Sequence, residues 1–382
     1  MPRFLRMLEE GMRDRGHQTA VWSPKARLFR LPMINSVKKW MGYIDQYIFF
    51  PWEIYRKLKK VAPNTLFVFT DHALGPWVPL VANRPHAIHC HDFLAQRAAL
   101  KEIPENITGW TGQQYQLMIR KGYCRGRNFI SVSQKTQQDL HRFTVKGSGI
   151  SEVVYNGLNS NFFPMNVNEV RAKIKEKTAI NVNEGYILHV GGNQWYKNRV
   201  GIVEIYNAWR SRFRKDLPLL LVGQKPDSLL EEVIKNSPFQ KEIHILDSFS
   251  DEWVKRAYAG ASVFLFPSLA EGFGWPIAEA MASGCPVITT NEAPMTEVAQ
   301  EAAFFISKKP MESSKVKNWK QQAADVVENV LCLTPKEREE IIRKGLVNAQ
   351  RFNSRDAVDK IEIIYNNILK SESHYENTTC NR

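Results

Sequence analysis

The segment LFPSLAEGFGWPIAEAMASGCPVITT, residues 265–290, places two glutamates eight positions apart between two apolar runs. Pro276 is typical of the first turn of a helix, and Gly284 is typical of the position just beyond a helix end. The segment therefore predicts a buried strand, a loop with Glu271, a helix with Glu279 in its first turn, and a second strand. Because ligands of doubly wound sheets bind at the carboxyl ends of the strands, both carboxylates are predicted to face one cleft.

The glycines of this loop indicate what the cleft holds. Gly272 and Gly274 let backbone N–H groups approach a ligand closely, and the N-terminus of the following helix favours an anion. Carboxylates beside a phosphate are repulsive unless they accept hydrogen bonds from other groups, and the hydroxyls of a sugar or ribose are suitable donors. The pattern therefore predicts a nucleotide sugar. A glutamate that only complements the helix dipole is an alternative for Glu279, but it does not explain Glu271.

A second loop predicts the same ligand. In ILHVGGNQWYKNRVGIVE, residues 187–204, an apolar strand is followed by the turn Gly191-Gly192 and by Lys197 at the start of a helix. A lysine at that point can bind a diphosphate. The Gly-Gly turn alone is a weak signal, since an unrelated tight turn has the same sequence. Its predicted place in the same sheet as residues 265–290 makes it part of one site.

Short apolar runs alternate with helical patterns along the 382 residues, which predicts parallel sheets covered by helices on both faces. A chain of this length exceeds one ordinary hydrophobic core, so two domains are expected, with a hinge in the Asn-rich segment 155–169. The end of the chain predicts helices over Pro335–Arg351 and Ser354–Lys370, followed by a disordered tail over 371–382. The predicted strands are 18–22, 65–69, 86–90, 128–132 and 152–155 in the first half, and 186–190, 218–222, 242–246, 262–266 and 286–289 in the second.

The composition excludes several classes of protein. Its 43% hydrophobic and 24% charged residues are typical of a soluble globular protein, and no apolar run reaches the roughly eighteen residues of a membrane span. Five cysteines without Cys-x-x-Cys spacing predict neither a disulfide framework nor a zinc site. Residues 1–16 have the pattern of a charged amphipathic helix rather than of a secretory signal, so a cytoplasmic protein is expected.

Positive charge is concentrated in the first half. Residues 1–150 hold 23 Lys and Arg against 10 Asp and Glu, whereas the remaining residues hold 29 of each. The densest part, KKWMGYIDQYIFFPWEIYRKLKK over 38–60, predicts peripheral contact with an anionic membrane surface, to which Lys57, Lys59 and Lys60 contribute. A helix that buries its aromatic residues under a solvated basic face is the alternative. No nucleic-acid partner is expected, because no recognition motif for one is present.

The motifs of the second half resemble those of one enzyme family. The match runs from about residue 155 to residue 305 and includes VVYNGL, ILHVGGNQWYKN, LLLVG, FSDEWVKRAYAGASVFLFPSLAEGFGWPIAEAMASGCPVIT and EVAQEAAFF, which resemble the retaining glycosyltransferases of family four. A weaker resemblance continues in RGHQTAVW, IHCHDF and FISVSQKTQQDL. The resemblance implies an α/β architecture, the GT-B fold of two facing Rossmann-like, doubly wound parallel-sheet domains. We assign 1–160 to the acceptor-side domain, onto which the helix at about 354–370 packs back, and 161–353 to the nucleotide-sugar donor domain.

The resemblance also implies roles for single residues. Glu271 contacts hydroxyls of the donor sugar, Glu279 binds the ribose diol, and Lys197 binds the diphosphate. His91 lies near the donor sugar from the facing domain, unless it only satisfies hydrogen bonds at a strand end, and Asp92 either orients that ring or caps the next helix. The implied catalytic residues are His91, Lys197 and Glu271. The implied donor-binding residues are Gly191, Gly192, Lys197, Arg199, Gly223, Glu271, Gly272, Phe273, Gly274 and Glu279.

One departure concerns the diphosphate loop. Many family members have an arginine after its first glycine, where this chain has Gly192, so Arg199 or Lys225 is expected to supply the positive charge. The family retains anomeric configuration, and we expect a front-face substitution that depends on positioning and electrostatic stabilisation. No Asp-x-Asp sequence is present, so neither a metal nor another cofactor is expected. A glycosidase-like pair of Glu271 and Glu279 acting directly on the sugar is the alternative.

The other departure lies at the start of the chain. The first domain of the family opens with a strand and a glycine-rich loop, whereas MPRFLRMLEEGMRDRGH begins directly on a helical pattern. We therefore expect the first strand of the N-terminal domain to be missing, and we hypothesise that Met1 is an internal or misassigned start or that the gene is truncated. A chain without that strand can be poorly stable or inactive although its donor half is intact.

The predicted function is the transfer of a hexosyl group from a nucleotide diphosphate sugar, GDP-mannose or a UDP-hexose, to a saccharide or lipid-linked acceptor. Biosynthesis of surface polysaccharide or glycolipid at the inner membrane face is the expected setting. A catalytically inactive nucleotide-sugar-binding protein and a nucleotide-sugar epimerase on the same fold are alternatives, and acceptor-dependent release of nucleoside diphosphate separates the transferase from both. A basic nucleic-acid-binding protein is a third alternative, whose salt-dependent binding survives Glu271→Ala.

Overall fold

Two parallel β-sheets form the centre of the molecule in the computed structural model, which describes residues 2–32, 34–144, 149–158 and 161–379. The first sheet has the order β1-β2-β3-β4, with β1 (Phe67–Phe69), β2 (His86–Cys90), β3 (Phe129–Ser131) and β4 (Ser151–Val153). The second has the order β10-β9-β8-β5-β6-β7, with β5 (Ile187–Val190), β6 (Leu219–Val222), β7 (Ile243–Leu246), β8 (Val263–Phe266), β9 (Val287–Thr290) and β10 (Phe304–Ile306).

Helices cover both sheets. In the first half of the described chain they are α1 (Pro2–Asp14), α2 (Asn35–Ile44), α3 (Phe50–Leu58), α4 (Leu94–Ala99), α5 (Trp110–Tyr123) and α6 (Gln134–Phe143). In the second half they are α7 (Val167–Thr178), α8 (Arg199–Phe213), α9 (Ser228–Lys235), α10 (Asp251–Gly260), α11 (Trp275–Ala282), α12 (Met295–Ala299), α13 (Ser313–Leu331), α14 (Pro335–Ala349) and α15 (Ser354–Thr379). No helix of the described residues combines the length and the apolar character that crossing a membrane requires.

Local sequence explains where the elements of the second sheet begin and end. The runs Leu-Leu-Leu-Val of β6 and Val-Phe-Leu-Phe of β8 are buried at every residue, as strands covered by helices on both faces must be. Helix α11 begins after Gly274, whose φ of 106° is the left-handed region that favours glycine, and Pro276 lies in its first turn. Helix α14 begins with a capping box of Thr334 and Glu337.

The second sheet reverses its strand order between β5 and β8. Strand β5 pairs in parallel with β6 on one side and with β8 on the other. The loops that follow β5 and β8 therefore leave the same edge of the sheet side by side. In doubly wound sheets this crevice is where ligands bind.

The last helix returns to the first sheet. Val358 and Ile361 of α15 share a buried cluster with Phe4 and Leu8 of α1. Farther along α15, the Tyr365 hydroxyl lies 2.6 Å from Nε2 of His89 in β2. The chain thus crosses between its two sheets twice, and the predicted domain boundaries at 160 and 353 stay predictions.

Most predicted elements are present, and three differ. Nine of the ten predicted strands form within two residues of their predicted ends, and the first described element is a helix, as expected. The strand predicted at 18–22 is wrong: Trp22 packs 5.7 Å from the Phe67 ring, beside the short, half-buried outermost strand of the first sheet, without pairing with it. Strand β10 was not predicted, because its three residues are too few to show a period. Helix α15 continues through 371–379, which we predicted to be disordered, because adding residues to a packed helix costs little. Residues 380–382 lie outside the described residues.

Candidate active site

The two predicted catalytic residues of the second sheet meet in the crevice between β5 and β8. Lys197 Nζ lies 2.7 Å from Glu271 Oε1, and the Ser268 hydroxyl lies 2.6 Å from the same oxygen. The side chains of Lys197 and Glu271 are only 12% and 8% exposed, so water screens their charges weakly. The ammonium also lies 4.9 Å from the centroid of the Phe266 ring. The pair is a shielded positive and negative group at a ligand-binding edge.

Hydrogen bonds between the two loops hold this pair in place. Asn198 adopts the left-handed region at φ 53°, caps α8, and donates from Nδ2 to the Pro267 carbonyl at 2.9 Å. The backbone N–H of Leu269 donates to the Tyr196 carbonyl at 2.7 Å. The loop after β5 and the loop after β8 are therefore one hydrogen-bonded unit, with Lys197 on one side and Glu271 on the other.

Two of the predicted glycines are required by close backbone contact. A Cβ atom on Gly223, whose φ is 136°, would lie 2.1 Å from the Gly191 carbonyl oxygen, so only glycine fits between the loops after β5 and β6. A Cβ atom on Gly272 would lie 1.8 Å from the carbonyl oxygen of His91, which belongs to the facing domain. At Gly192 the nearest atoms are the flexible ends of the Gln194 and Gln224 side chains, so glycine is not required there.

The loop with Glu271 is also anchored to the first domain by two hydroxyls that sequence reasoning missed. Ser133 Oγ and Thr136 Oγ1 lie 2.7 Å and 3.1 Å from the Gly272 carbonyl oxygen. Ser133 caps α6 at the carboxyl end of β3. A Ser-x-x-Thr sequence directly after a predicted strand was the available signal. Phe273 is buried against Phe352, with ring centroids 5.4 Å apart, and so positions the loop rather than facing solvent.

Glu279 lies in the same crevice but already has partners. Its Oε1 accepts a hydrogen bond from Arg3 Nη1 at 2.7 Å, and its Oε2 accepts one from the Tyr258 hydroxyl at 3.2 Å. The Arg3 guanidinium stacks 3.8 Å from the centroid of the Trp275 ring. Burial, with the Glu279 charge in second place, raises the pKa of Tyr258 well above its ordinary value, so this hydroxyl keeps its proton. Sequence reasoning did not anticipate Arg3, and no local pattern indicates it.

His91 is brought to the crevice from the first domain, at the end of β2. Its Nε2 lies 3.0 Å from the Thr70 carbonyl, which can only accept, so Nε2 carries the proton. Burial lowers the pKa of His91, although the nearby Asp71 opposes that shift, and the ring is neutral. The Phe4 ring packs 4.6 Å away. Of the two roles predicted for Asp92, the structure supports the cap: its carboxylate accepts from the Leu94 N–H at 3.0 Å.

The two residues expected to replace the missing loop arginine differ in burial: Arg199 is buried and Lys225 is exposed. The Arg199 guanidinium is buried and donates from Nη1 to Asn193 Oδ1 and, at 2.8 Å, to the Gln224 carbonyl. Its Nε and Nη2 find no partner among the described residues, and burial lowers its pKa. Lys225 is largely exposed, 3.7 Å from Asp247. Arg199 is therefore a buried positive charge next to the Gly-Gly turn, and its predicted role in binding the donor stays a prediction.

Within the described ranges, no three His, Cys, Asp or Glu side chains gather as they would around a metal ion. The expectation that the site uses no metal or other cofactor stays a prediction. What the crevice offers chemically is a lysine for an anion, two carboxylates for hydroxyls, and a neutral histidine from the opposite side.

The chain matches two family models. The model described as Glycosyltransferase Family 4 matches residues 1–162, and the model described as Glycosyl transferases group 1 matches residues 170–346. The second match includes Lys197, Glu271 and Glu279. The two matches together span most of the chain.

Sequence relatives and a solved structure agree with these matches. O-antigen chain mannosyltransferase B of Escherichia coli is 33% identical over 123 residues, which are 32% of this chain and 32% of that protein. O-antigen chain mannosyltransferase RfbU of Salmonella typhimurium is 24% identical over 72% of this chain and 70% of that protein. The matched region thus spans about a third of the first relative's length. Sucrose-phosphate synthase from Thermosynechococcus elongatus superimposes with a TM-score of 0.73 over 96% of this chain and 93% of its own, at 18% identity.

Proposed function

This chain belongs to the family 4 glycosyltransferases of the GT-B fold, and we propose that it transfers a mannosyl group from a nucleoside diphosphate mannose to a saccharide or lipid-linked acceptor. Surface polysaccharide biosynthesis is the proposed setting, because both curated relatives described above are O-antigen mannosyltransferases. GDP-mannose is the donor we expect, with a UDP-hexose as the competing donor. The observation that carries the proposal is the shielded pair of Lys197 and Glu271 beside Glu279 at the carboxyl edge of the second sheet.

The proposed roles follow from charge and geometry. A donor diphosphate competes with Glu271 for the Lys197 ammonium, and the sugar hydroxyls then donate to the released Glu271 carboxylate. Glu279 accepts from the ribose hydroxyls after Arg3 has moved aside. The neutral His91, held by Thr70 and Phe4, faces the sugar from the other domain.

The proposed chemical step retains configuration at the anomeric carbon. The acceptor hydroxyl oxygen forms a bond to that carbon on the face from which the diphosphate departs, the carbon–oxygen bond to the phosphate breaks, and the hydroxyl proton passes to the departing phosphate oxygen. Positioning of both reactants and stabilisation of the developing diphosphate charge by Lys197 lower the barrier. The buried charge of Arg199 adds to the positive potential of the loop.

Calorimetric titration of the full chain with GDP-, UDP- and ADP-sugars tests the donor, and release of nucleoside diphosphate with and without a mannose-terminated acceptor tests the transfer. We expect GDP-mannose to bind and Glu279→Ala to weaken it. Lys197→Ala should lower the transfer rate by about a hundredfold, the usual loss on removing one donor that stabilises transition-state charge.

Lys309→Ala is the matched control, because Lys309 is a half-buried lysine of the same domain that pairs with Glu204 away from the crevice. Release of nucleoside diphosphate or of an altered sugar without acceptor would overturn the transferase proposal in favour of the epimerase. A folded chain that binds no nucleotide sugar would contradict both.

The proposed place of action is the inner face of a membrane. The net positive charge of the first 150 residues and the basic aromatic composition of 38–60 support this part of the proposal. Sedimentation with anionic vesicles tests it, and binding that is insensitive to charge-neutralising substitutions of these residues would count against it.

A further inference from the structure

One long helix of the first domain is apolar on its solvent side. Helix α2, a π-helical segment over Asp45–Phe49 and helix α3 follow one another without a break from residue 35 to 58. Phe50 and Ile54 on the inner side are buried, as expected for a helix packed on a domain. The outer side should be polar, but more than half of each of its large apolar side chains is exposed: Trp40, Ile48, Trp52 and Tyr55.

Two other segments extend this apolar surface. The buried Asp45 carboxylate accepts backbone N–H groups from Arg27, Leu28 and Phe29, which places the loop before the helix on the same side. The Tyr47 and Tyr115 hydroxyls lie 3.0 Å apart, which joins the long helix to α5. We call the exposed apolar residues of these three segments the aromatic face: Phe29, Leu31, Ile34, Trp40, Ile48, Trp52, Tyr55, Ile107, Trp110, Tyr115, Leu117 and Met118.

The aromatic face holds twelve of the twenty large apolar side chains that are exposed among the described residues. Of the large apolar side chains that are exposed among the described residues, fourteen lie between 21 and 118 and six lie elsewhere. All exposed tryptophans of the described residues, Trp40, Trp52 and Trp110, belong to it. Isolated exposed apolar residues are ordinary, whereas a contiguous set with tryptophan at its centre marks an interaction surface.

Positively charged side chains lie between these rings and indicate that the partner is anionic. Arg56 lies 4.7 Å from the Trp52 ring centroid, Lys59 lies 4.7 Å from that of Tyr55, and Lys39 lies 6.0 Å from that of Tyr43. Glu53 on the same helix is paired with Lys57 and Arg27, and the hydrogen bond from Lys57 lowers its pKa. Lys57 is therefore engaged with Glu53. Lys38, at 5.0 Å from the Phe29 ring centroid, Arg56 and Lys59 lie next to exposed rings, and Lys39 lies next to the half-buried Tyr43. The expectation that Lys57, Lys59 and Lys60 contribute to a membrane contact stays a prediction.

We propose that the aromatic face is the surface by which the chain docks on an anionic lipid bilayer. Tryptophan and tyrosine rings settle at the boundary between headgroups and acyl chains, and lysine and arginine beside them meet anionic headgroups. Apolar area and positive charge occur together on this face, which fits a bilayer better than it fits a nucleic acid or a second copy of an equally basic surface.

The position of the face relative to the crevice deepens the proposed function, on which this step rests. Ile103, in the connection between α4 and α5, packs with Trp195 and Tyr196 of the loop that carries Lys197. Glu105 reaches Lys308 of the donor domain at 3.6 Å. The face therefore adjoins the mouth of the crevice through residues 103–110. A chain docked by this face presents its crevice at the bilayer surface, so the acceptor we infer is the lipid-linked one.

Vesicle flotation of the full chain, without nucleotide, tests the docking. The probes are vesicles of phosphatidylcholine alone and of phosphatidylcholine with about 30% phosphatidylglycerol, at about 0.1 M and about 0.5 M NaCl. We expect binding only to the anionic vesicles and weaker binding at the higher salt. Trp40→Ala, Trp52→Ala and Trp110→Ala combined should weaken binding at least about tenfold, since affinity scales with buried apolar area. Each neutralised cation, in Lys39→Gln, Arg56→Gln and Lys59→Gln, should weaken it about fivefold.

Matched substitutions in the donor domain serve as controls. Leu229→Ala, Met311→Ala and Val347→Ala remove apolar side chains of similar exposure, and Lys225→Gln, Lys235→Gln and Lys317→Gln remove exposed charges. Both control sets should bind vesicles like the unsubstituted chain.

The outcomes are separable. The docking proposal would be overturned if the unsubstituted chain did not bind anionic vesicles, or if the tryptophan variant bound them as well as its control. It would also be overturned if the unsubstituted chain were a dimer and only the tryptophan variant were a monomer. Docking and donor binding are measured apart, so a chain that floats with vesicles but binds no nucleotide sugar keeps this inference and loses the proposed function.

Discussion

The two sheets bury their strands alike but hold their loops differently. Central strands such as β2 and β3 in the first sheet and β6, β8 and β9 in the second are buried at every residue, and the edge strands of both sheets are only partly buried. The loops of the second sheet are held by each other, as Asn198 holds Pro267. The loops of the first sheet are held by the other domain, as Ser133 and His91 contact Gly272.

The difference teaches that the two halves contribute to the site in different ways. The donor half keeps Lys197 beside Glu271 with its own backbone contacts, and the first half completes the site only through contacts across the crevice. Substitutions inside the donor half should therefore affect its stability, whereas substitutions at the contacts between the halves should affect their coupling and the access of the donor.

The largest effect is expected from Gly223→Ala, which tests whether the donor loops depend on local backbone fit. The added Cβ meets the Gly191 carbonyl at 2.1 Å in a backbone region that side chains rarely adopt. We expect the free energy of unfolding to fall by about 3 kcal/mol or more, measured by denaturant titration. Gly109→Ala is the control, because nothing lies within 4 Å of its added Cβ. If both substitutions changed the free energy of unfolding by the same small amount, the donor loops would not depend on local backbone fit more than the first half does.

The pH dependence of stability tests whether both halves have equally closed interiors. Each half buries a histidine completely, His89 in β2 and His189 in β5, and burial lowers the pKa of each to about 3. Below about pH 6.5 both histidines are protonated in the unfolded chain but stay neutral in the folded chain. Their contribution to the free energy of unfolding is therefore fully present above that pH and is lost as the pH drops toward 3. The expected loss is about 1.4 kcal/mol per pH unit for each histidine.

Denaturant titrations between pH 7 and pH 5 measure this loss, and hydrogen exchange assigns it to β2 or β5. A stability that stays constant over this range would contradict the prediction. Loss in β2 alone would indicate that only His89 is closed off from protons and that His189 becomes protonated in the folded state.

Glu297→Gln tests the coupling between the halves with a smaller expected effect. The Glu297 carboxylate of α12 accepts from the backbone N–H groups of Gln134 at 2.7 Å and Lys135 at 3.4 Å, and so caps α6 of the other domain. Removing the charge should cost about 1 kcal/mol. Faster proteolysis of the connection between β4 and α7 measures the loosened contact, and Glu301→Gln on an exposed neighbour is the control. Unchanged cleavage would mean that the cap contributes nothing to coupling.

Arg3→Ala tests the contact that occupies Glu279 and has the smallest expected effect. Because Arg3 is about half exposed, its ion pair is weak, and removing it should tighten nucleotide-sugar binding only about two- to fivefold. Calorimetry measures the change, with Arg6→Ala, an exposed arginine one turn later, as the control. Weaker binding in Arg3→Ala would show instead that Arg3 assists the donor.

Sequence patterns predicted the second sheet and the placement of Glu271 and Lys197 well, because each strand is a short apolar run bounded by turn residues. The same patterns failed at 18–22, where a few alternating residues did not find a strand to pair with, and at β10, whose three residues show no period. They also did not reveal that Lys57 is turned toward Glu53, and they left open which of two roles Asp92 has.

The sequence by itself determined the two donor loops, because a glycine with positive φ, a proline in the first helical turn and a capping side chain act within one strand-loop-helix unit. Only the tertiary structure decided which groups complete them. Arg3 reaches Glu279 across 276 positions, and Ser133 reaches Gly272 across 139. Such contacts depend on how two separately formed sheets pack against each other, and no local periodicity encodes that orientation.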